Sequence, residues 1–382
     1  VSAAPVVIAA GGTGGHVIPA LAVADVLAAR HVPVIWVGTR QGLEARLVPA
    51  AGIDIRWIDV TGLRGKGIVG SLSAPLRLLR ACWQSVSLLL RIRPRAVLGM
   101  GGFVSGPVGL AALVLRRPLV LHEQNAIAGM TNRRLARYAT TVLAAWPGAF
   151  AASINTREVG NPVSRDIAKA AERSESTAAS RLAAPDDAPL RLLVVGGSRG
   201  ARILNQTVPA AVGQLSRPVL VRHQSGDAEA DAVRARYAAL DGNVGTIRVE
   251  PFIDDMAAAY ADTDLVICRS GAMTVTELAA LACPSILVPF PYAVDDHQSA
   301  NARRLADVGG GVCIDQSELS ATRLATEIAD FDRDRPSLRK MSASARRCFR
   351  AGAAEAVADA LISASTNGMG DPVIDGAREA GR

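Results

Sequence analysis

The sequence predicts an α/β fold of two Rossmann-like, doubly wound parallel-sheet domains that face each other across a cleft. Three observations carry that prediction. Short apolar runs alternate with helical patterns, as in parallel β-α units. Residues 11–15, 99–106 and 196–200 place glycine clusters at the ends of such runs. The order strand, glycine turn, helix then starts afresh at Leu190, so the 382 residues divide most economically into two domains.

Taken in order, residues 6–10 form an apolar strand ending in Gly11-Gly12-Thr13-Gly14-Gly15-His16, and a helix is expected over 19–29. Strand 34–37, helix 43–50 and strand 55–59 continue the alternation. A long apolar and basic helix over 76–92 precedes strand 96–99, helix 106–115 and strand 119–122. The rhythm stops near Gly160-Asn161-Pro162, and residues 168–189, polar and rich in Ala and Ser, read as a linker followed by surface structure. It resumes with strand 190–195, a helix from Ala201, strand 218–223, a helix through Arg236 and strand 246–249. Strands 264–268 and 285–289 bracket helix 273–281. Residues 338–364 form a last helical pattern, and 365–382, low in bulky apolar residues, are expected to be a disordered tail.

With 49% hydrophobic and 20% charged residues, the chain can bury a large interior and is not compositionally disordered. Five cysteines, at 82, 268, 283, 313 and 348, are odd in number and include no Cys-x-x-Cys pair. That argues against a disulfide framework or a structural zinc site and for a reducing compartment. Residues 1–10 lack the basic start and longer apolar core of a secretory signal, so a cytoplasmic protein is expected. Residues 97–115 carry no charge, but five glycines and Pro107 interrupt them, and strand, turn and buried helix fits better than a membrane span.

The formal charge is +7, and all of it lies between Arg56 and Arg95, where eight basic residues stand against Asp59 alone. Trp57 and Trp83 are the sole aromatic residues among them, and no helix-turn-helix or RNA-binding signature is present, so nucleic acid is not an expected partner. The arginines instead flank the apolar helix 76–92. Apolar side chains beside arginines suit a surface facing anionic lipid, so peripheral membrane contact is expected, with a solvated basic face as the plainer alternative.

Glycine permits positive φ and close backbone approach, so loops of this kind turn N–H groups toward an anion, and the following helix adds the positive end of its dipole. Phosphate is the natural guest. No Gly-x-x-x-x-Gly-Lys-[Ser/Thr] occurs, and residues 11–16 do not spell Gly-x-Gly-x-x-Gly, so neither a P-loop ATPase nor a dinucleotide oxidoreductase is expected. A fourth anion site is expected where strand 264–268 meets Arg269-Ser270-Gly271-Ala272-Met273-Thr274, with helix N–H groups directed at a pyrophosphate. Glu277, about one turn into that helix, repels phosphate yet suits the two vicinal hydroxyls of a ribose; the alternative is a carboxylate that merely stabilises the helix start.

Together these motifs resemble the MurG family, glycosyltransferases that add N-acetylglucosamine to the lipid-linked muramyl-pentapeptide precursor of bacterial peptidoglycan. The resemblance spans roughly residues 6–365. It rests on residues 11–16 with Pro19-Ala20, Gly62-Leu63-Arg64-Gly65-Lys66-Gly67, Gly99-Met100-Gly101-Gly102-Phe103-Val104-Ser105-Gly106-Pro107 and His122-Glu123-Gln124-Asn125. Gly160-Asn161-Pro162-Val163, Gly196-Gly197-Ser198, residues 269–277 and Asp296-His297-Gln298-Ser299-Ala300-Asn301-Ala302 complete it.

The resemblance implies a GT-B fold, with an acceptor-binding domain over 1–163 completed by a C-terminal helix at about 342–364, and a UDP-GlcNAc-binding domain over 164–341. By motif position it implies that Glu277 holds the ribose, Ser198 with Ala272, Met273 and Thr274 the pyrophosphate, the Ile253 backbone the uracil, and Gln298 the sugar hydroxyls. Asn125 with Thr13, Gly14 and Gly15 would close the site from the acceptor side, and Gly102, Ser105 and Arg64 would serve the acceptor and its pyrophosphate. Ser164 precedes Arg165 where the family has arginine directly after Asn-Pro-Val, and Arg199 stands where glutamine is usual. Arg165 is carried as a donor contact, and Arg199 either pairs with phosphate or points outward.

The implied partners are UDP-GlcNAc, undecaprenyl-pyrophosphoryl-MurNAc-pentapeptide (lipid I), the anionic inner leaflet of the cell membrane, and other cell-wall synthesis and division proteins; no cofactor and no metal is implied. The expected reaction is an inverting transfer of GlcNAc to the C4 hydroxyl of MurNAc, giving lipid II at the cytoplasmic face of the membrane. His16 is the expected base, because an imidazole with an ordinary pKa near ~6.5 is substantially neutral at cytoplasmic pH. Its alternatives are a phosphate contact or a helix cap, and Glu123 is the second candidate base. The departing UDP is expected to be stabilised by N–H groups and helix ends without a cation. No Asp-x-Asp pair lies within the donor motifs, and Asp254-Asp255 and Asp295-Asp296 read as helix caps. Two other classes stay open: a UDP-GlcNAc 2-epimerase-like enzyme, and a sugar-nucleotide-binding subunit recruited to the membrane.

Overall fold

A computed structural model of the chain describes residues 4–60, 74–183, 185, 187–197, 200–240 and 244–367. The first sheet holds β1 (Val6–Ala9), β2 (Val34–Gly38), β3 (Asp54–Trp57), β4 (Ala96–Gly99), β5 (Leu119–Glu123), β6 (Thr141–Ala144) and β7 (Thr156–Glu158), in the spatial order β3-β2-β1-β4-β5-β6-β7. The second holds β8 (Leu190–Val195), β9 (Val219–Gln224), β10 (Ile247–Glu250), β11 (Leu265–Cys268), β12 (Ser285–Leu287) and β13 (Val312–Cys313), in the order β10-β9-β8-β11-β12-β13. All pairings in both sheets are parallel; Val6 lies opposite Val34 on one side and Ala96 on the other, and Leu192 opposite Val221 and Leu265. Each sheet reverses its order beside its first strand, between β1 and β4 and between β8 and β11. Such a switch point opens a crevice beyond the carboxyl ends of the strands.

Strand alternation decides which layer each side chain joins. Val6 and Ile8 pack with Val17, Ala20 and Val23 of helix Gly14–Ala29, and with Val357, Ala358 and Leu361 of helix Ala353–Asn367. Val7 and Ala9 face the opposite way, onto Val104 and Val108 of helix Gly102–Val114 and Leu89 of helix Ala74–Ile92. Leu192 and Val194 against Leu193 and Val195 repeat the division in the second sheet. With helices on both faces the strands are apolar throughout, which is why they read as continuous runs rather than alternating ones.

Several sequence expectations change, among them helix 106–115, which starts at Gly102. Helix Gly14–Ala29 begins five residues before Pro19, because Gly12 alone of the four glycines at 11, 12, 14 and 15 takes a positive φ, of 94°; Gly14 and Gly15 are helical. Residues 168–189 are no linker at their start, since helices Arg165–Ala171 and Ser174–Arg181 occupy the region and bury Ile167, Ala171 and Ala178. Small side chains pack closely there without leaving a long apolar signature. The single helical pattern over 338–364 is two helices, Arg335–Arg346 and Ala353–Asn367, broken near Gly352 (φ +76°). The former buries Leu338, Met341 and Ala345 in the second domain, and the latter crosses back to the first sheet. The expected tail over 365–382 starts late, as the helix runs to Asn367; the residues after it lie outside the described ones.

Candidate active site in the cleft

The turns that leave β1, β4, β8 and β11 each run into a helix: Gly14–Ala29, Gly102–Val114, Arg202–Val212 and Ala272–Ala280. None of their N-cap residues, Thr13, Gly101, Ala201 and Gly271, makes a side-chain cap. Ser164, Asp255, Ser320 and Asp334 do cap helices elsewhere. Among the described residues the first N–H groups at the two switch points thus have no N-cap side chain, and the positive ends of the helix dipoles stand behind them. Between the domains lies a cavity of about 1070 Å³. Gly12, Thr13, Gly14, Gln41 and Arg46 line it from the first domain, and Gly196, Gly197, Gly200, Gln206, Arg269, Thr274, Phe290, Gln298 and Gln316 from the second.

Two glycines are required by this geometry. Gly101 holds φ +88° and ψ −169°, a region open essentially to glycine alone, and a Cβ on it would lie 3.2 Å from the His16 ring. Gly200, at φ +72°, approaches Ser225 so closely that a Cβ would stand 2.1 Å from its carbonyl oxygen.

His16 sits half-buried against the Gly101–Gly102 turn, with its Nδ1 3.3 Å from Thr13 Oγ1. Burial pushes the imidazole below its ordinary value; Glu123 opposes that shift, His297 of the second domain reinforces it, and Glu44 opposes it. A ring so held is neutral at neutral pH and fit to accept a proton. It stands behind Thr13 and not on the cavity wall itself. Glu123, the second candidate base, braces a turn: its Oε1 accepts from the Asn125 N–H and Nδ2 at 3.0 Å each, and its Oε2 from the Gly129 N–H at 3.1 Å and Asn132 Nδ2 at 2.9 Å. Its oxygens are committed to holding the turn after β5. Neighbouring His122 is buried, which lowers its pKa, and joins the Gly160 carbonyl at 2.9 Å and the Gln124 amide at 3.2 Å.

Asn125 faces the second domain, where its Oδ1 accepts from Asn301 Nδ2 at 3.1 Å while Asn301 Oδ1 accepts from the Ala126 N–H at 2.8 Å. Asn161 Nδ2 likewise reaches both the Gln124 carbonyl, at 3.0 Å, and Thr276 Oγ1, at 2.8 Å. On the donor side Tyr260 donates to Glu277 Oε2 at 3.2 Å, and burial raises the Glu277 carboxyl to about 7. The Ile253 N–H is taken by Gln224 Oε1 at 3.0 Å. Gln298 Oε1 accepts from the Phe290 N–H at 3.0 Å, which turns the glutamine into the cleft. Arg269 donates to the Val288 and Pro289 carbonyls and to Gln316, so it shapes the wall.

Of the expected site residues, Thr13, Gly14, Thr274 and Gln298 lie on the cavity wall, whereas Gly15, His16, Asn125, Ile253, Ala272, Met273 and Glu277 do not line it. Gly102 packs on His16. Two further expected site residues stand apart from this wall. Ser105 is fully buried, and its hydroxyl shares its one proton between the Ala9 carbonyl at 2.8 Å and the Gly101 carbonyl at 2.7 Å, tying two turns together. Arg165 is exposed and lines a separate cavity of about 430 Å³ with Asp25, Glu172 and Arg350; the intervening Ser164 caps its helix by accepting from the Ile167 N–H. Ser198, Arg199 and Arg64 lie outside the described residues.

Sequence reading also passed over Asp262-Thr263-Asp264, an Asp-x-Asp pair at the amino end of β11; both carboxylates bind Arg191, at 2.9 and 3.0 Å, away from the cleft. It missed Gln41, Arg46, Gln206 and Gln316 on the cavity wall and Glu44 beneath it. The usable signal was position, since polar residues just past the carboxyl ends of parallel strands face the crevice.

Two doubly wound domains closing on a cleft ringed by glycine turns and uncapped helix starts define a glycosyltransferase of the GT-B class. Residues 6–144 match the glycosyltransferase family 28 N-terminal domain and residues 191–360 the family 28 C-terminal domain. The chain is 52% identical over 357 residues to the UDP-N-acetylglucosamine–N-acetylmuramyl-(pentapeptide) pyrophosphoryl-undecaprenol N-acetylglucosamine transferase of Alkalilimnicola ehrlichii, covering 93% of this chain and 97% of that one. It is 50% identical over 358 residues to the protein of the same name from Methylococcus capsulatus, covering 94% and 98%. The crystal structure of Acinetobacter baumannii MurG matches it with a TM-score of 0.80 at 39% identity, over 94% of this chain and 100% of that one. The chain belongs to the MurG family of glycosyltransferases.

Proposed function

We propose that the chain moves N-acetylglucosamine from UDP-GlcNAc to the C4 hydroxyl of MurNAc in lipid I, with inversion, giving lipid II for peptidoglycan synthesis. The observation that carries this reading is the single cleft onto which uncapped helix starts and glycine turns of both domains open. We assign acceptor binding to the first domain with the returning helix Ala353–Asn367, and donor binding to the second. His16 takes the acceptor proton, directly or by way of Thr13, and the glycine turns with the helix start at Ala272 carry the charge that develops on UDP. Glu277 holds the ribose and Gln298 the sugar hydroxyls.

A metal-independent reaction is supported by where the nearby acids are committed. Asp255 caps its helix, Asp295 pairs with Arg133, and Asp296 accepts from Ser299. Contact with the anionic inner leaflet is supported by helix Ala74–Ile92, which leaves Leu76, Leu79 and Trp83 exposed beside Arg77, Arg80 and Arg91. Among the described residues no helix is long and apolar enough to cross a membrane.

Purified protein with labelled UDP-GlcNAc and a lipid I analogue tests the proposal. Label is expected in the lipid, with turnover undiminished after exhaustive chelation. Free N-acetylmannosamine with UDP would indicate the epimerase class, and binding without turnover a recruiting subunit. Loss of turnover on chelation would overturn the metal-independent step alone.

A further inference from the structure

Glu44 is a charge in an unexpected place. It opens helix Glu44–Ala50 with its side chain fully buried, where a carboxylate is costly unless hydrogen bonds replace its water. Three donors do so: Thr39 N–H at 2.9 Å and Thr39 Oγ1 at 2.8 Å reach Oε1, and the Gly12 N–H reaches Oε2 at 2.9 Å. The chain also clears space for it with three glycines, because a Cβ on Gly11, Gly38 or Gly42 would come within 2.6, 2.7 or 1.9 Å of the Glu44 side chain. The bond to Gly12 is the consequential one. Gly12 is the residue of positive φ that turns β1 into helix Gly14–Ala29, and so sets Thr13 on the cavity wall and His16 behind it.

We propose that Glu44 is a positioning residue for the transfer reaction, holding the first glycine turn through Gly12 and thereby Thr13 and His16 against the incoming acceptor. The inference rests on the reading of His16 as the base. Besides burial, the charged and titratable groups acting on His16 are Glu123 from the end of β5, His297 from helix His297–Ala306, and Glu44 itself. Glu44 is thus tied to the loop by a hydrogen bond and to the imidazole through space.

The test is steady-state kinetics with labelled UDP-GlcNAc and a lipid I analogue, with kcat and both KM values followed across the acid and neutral range. Glu44→Gln keeps the volume but turns an amide N–H toward a donor. It is expected to lower kcat by about 10- to 100-fold with little change in donor KM, and to move the acid limb of kcat/KM to lower pH, because a negative charge that favoured the imidazolium is gone. Gly42→Ala pushes the carboxylate aside without removing it, so kcat should fall while the acid limb moves less. His16→Ala separates the two readings: if it keeps both kcat and the acid limb, the base assignment fails independently of Glu44. If His16→Ala abolishes the limb while Glu44→Gln changes neither kcat nor the limb, the Glu44 inference is overturned. A Glu44→Gln variant that loses only Tm, with kcat and the pH profile intact, likewise overturns it. Should Glu44→Gln not fold, an unchanged kcat in Gly42→Ala does the same.

Discussion

At the scale of single residues, burial and hydrogen-bond partners assign the roles more sharply than residue type does. Glu123, Glu44 and Glu277 are all carboxylates near the cleft, yet Glu123 accepts four N–H bonds, Glu44 accepts three donors, and Glu277 has Tyr260 Oη at 3.2 Å. Burial raises the Glu277 carboxyl from an ordinary 4.5 to about 7. Since the folded state favours its proton, Glu277 lowers stability progressively as pH climbs from near 4.5 to about 7. Glu277→Gln is therefore expected to melt higher than the parent protein above neutrality, by up to about 3 kcal/mol in unfolding free energy, and urea titrations at acid and alkaline pH check this. For the proposed ribose role the sign is opposite: an ionised Glu277 would accept from ribose hydroxyls, so on that proposal the donor KM rises as pH falls through about 7 and loses that dependence in Glu277→Gln. A donor KM flat with pH in the parent protein would remove the ribose role.

At the scale of elements, helix Ala74–Ile92 shows how one periodicity serves two surroundings. Ala81, Ser85 and Leu89, four apart, are buried against the first domain, whereas Leu76, Leu79 and Trp83 are 72%, 67% and 71% exposed on the other side. Leu110 and Val114 of the adjoining helix Gly102–Val114 extend the apolar surface. So much exposed apolar area beside arginines is what an interfacial helix presents to lipid. Replacing Arg77, Arg80 and Arg91 with Gln is expected to weaken sedimentation with anionic vesicles in a salt-sensitive way, and Trp83→Ser to weaken it independently of salt. Binding unaffected by either change would make the helix an ordinary solvated face. The sequence pattern made this helix legible because its apolar stripe is long; helices Arg165–Ala171 and Ser174–Arg181 were not, because their buried residues are mostly alanine and serine.

At the scale of the whole molecule, buried amides link the two domains beside an apolar cluster that joins Ala126, Ala145 and Trp146 to Met273 and Ala302. Asn301 is fully buried and satisfies the Ala126 N–H, Asn125 Oδ1 and the Ser270 carbonyl, so one side chain ties both walls of the cleft. Asn301→Ala would leave those groups unpaired; it is expected to cost about 1–3 kcal/mol of stability and to raise the donor KM, read by calorimetry and steady-state kinetics. A stable variant with parental kinetics would show that the clamp does not hold the cleft. The sequence by itself determined the two doubly wound domains and the glycine turns between strand and helix, because hydrophobic period and the glycine requirement at positive φ are local properties. The tertiary structure alone decided that Ser105 is buried between two turns, that Arg165 lines a second cavity, that Glu123 braces a turn and that Glu44 lies beneath the first glycine loop. Those outcomes depend on which groups distant in sequence converge on one atom, and no spacing along the chain encodes that convergence.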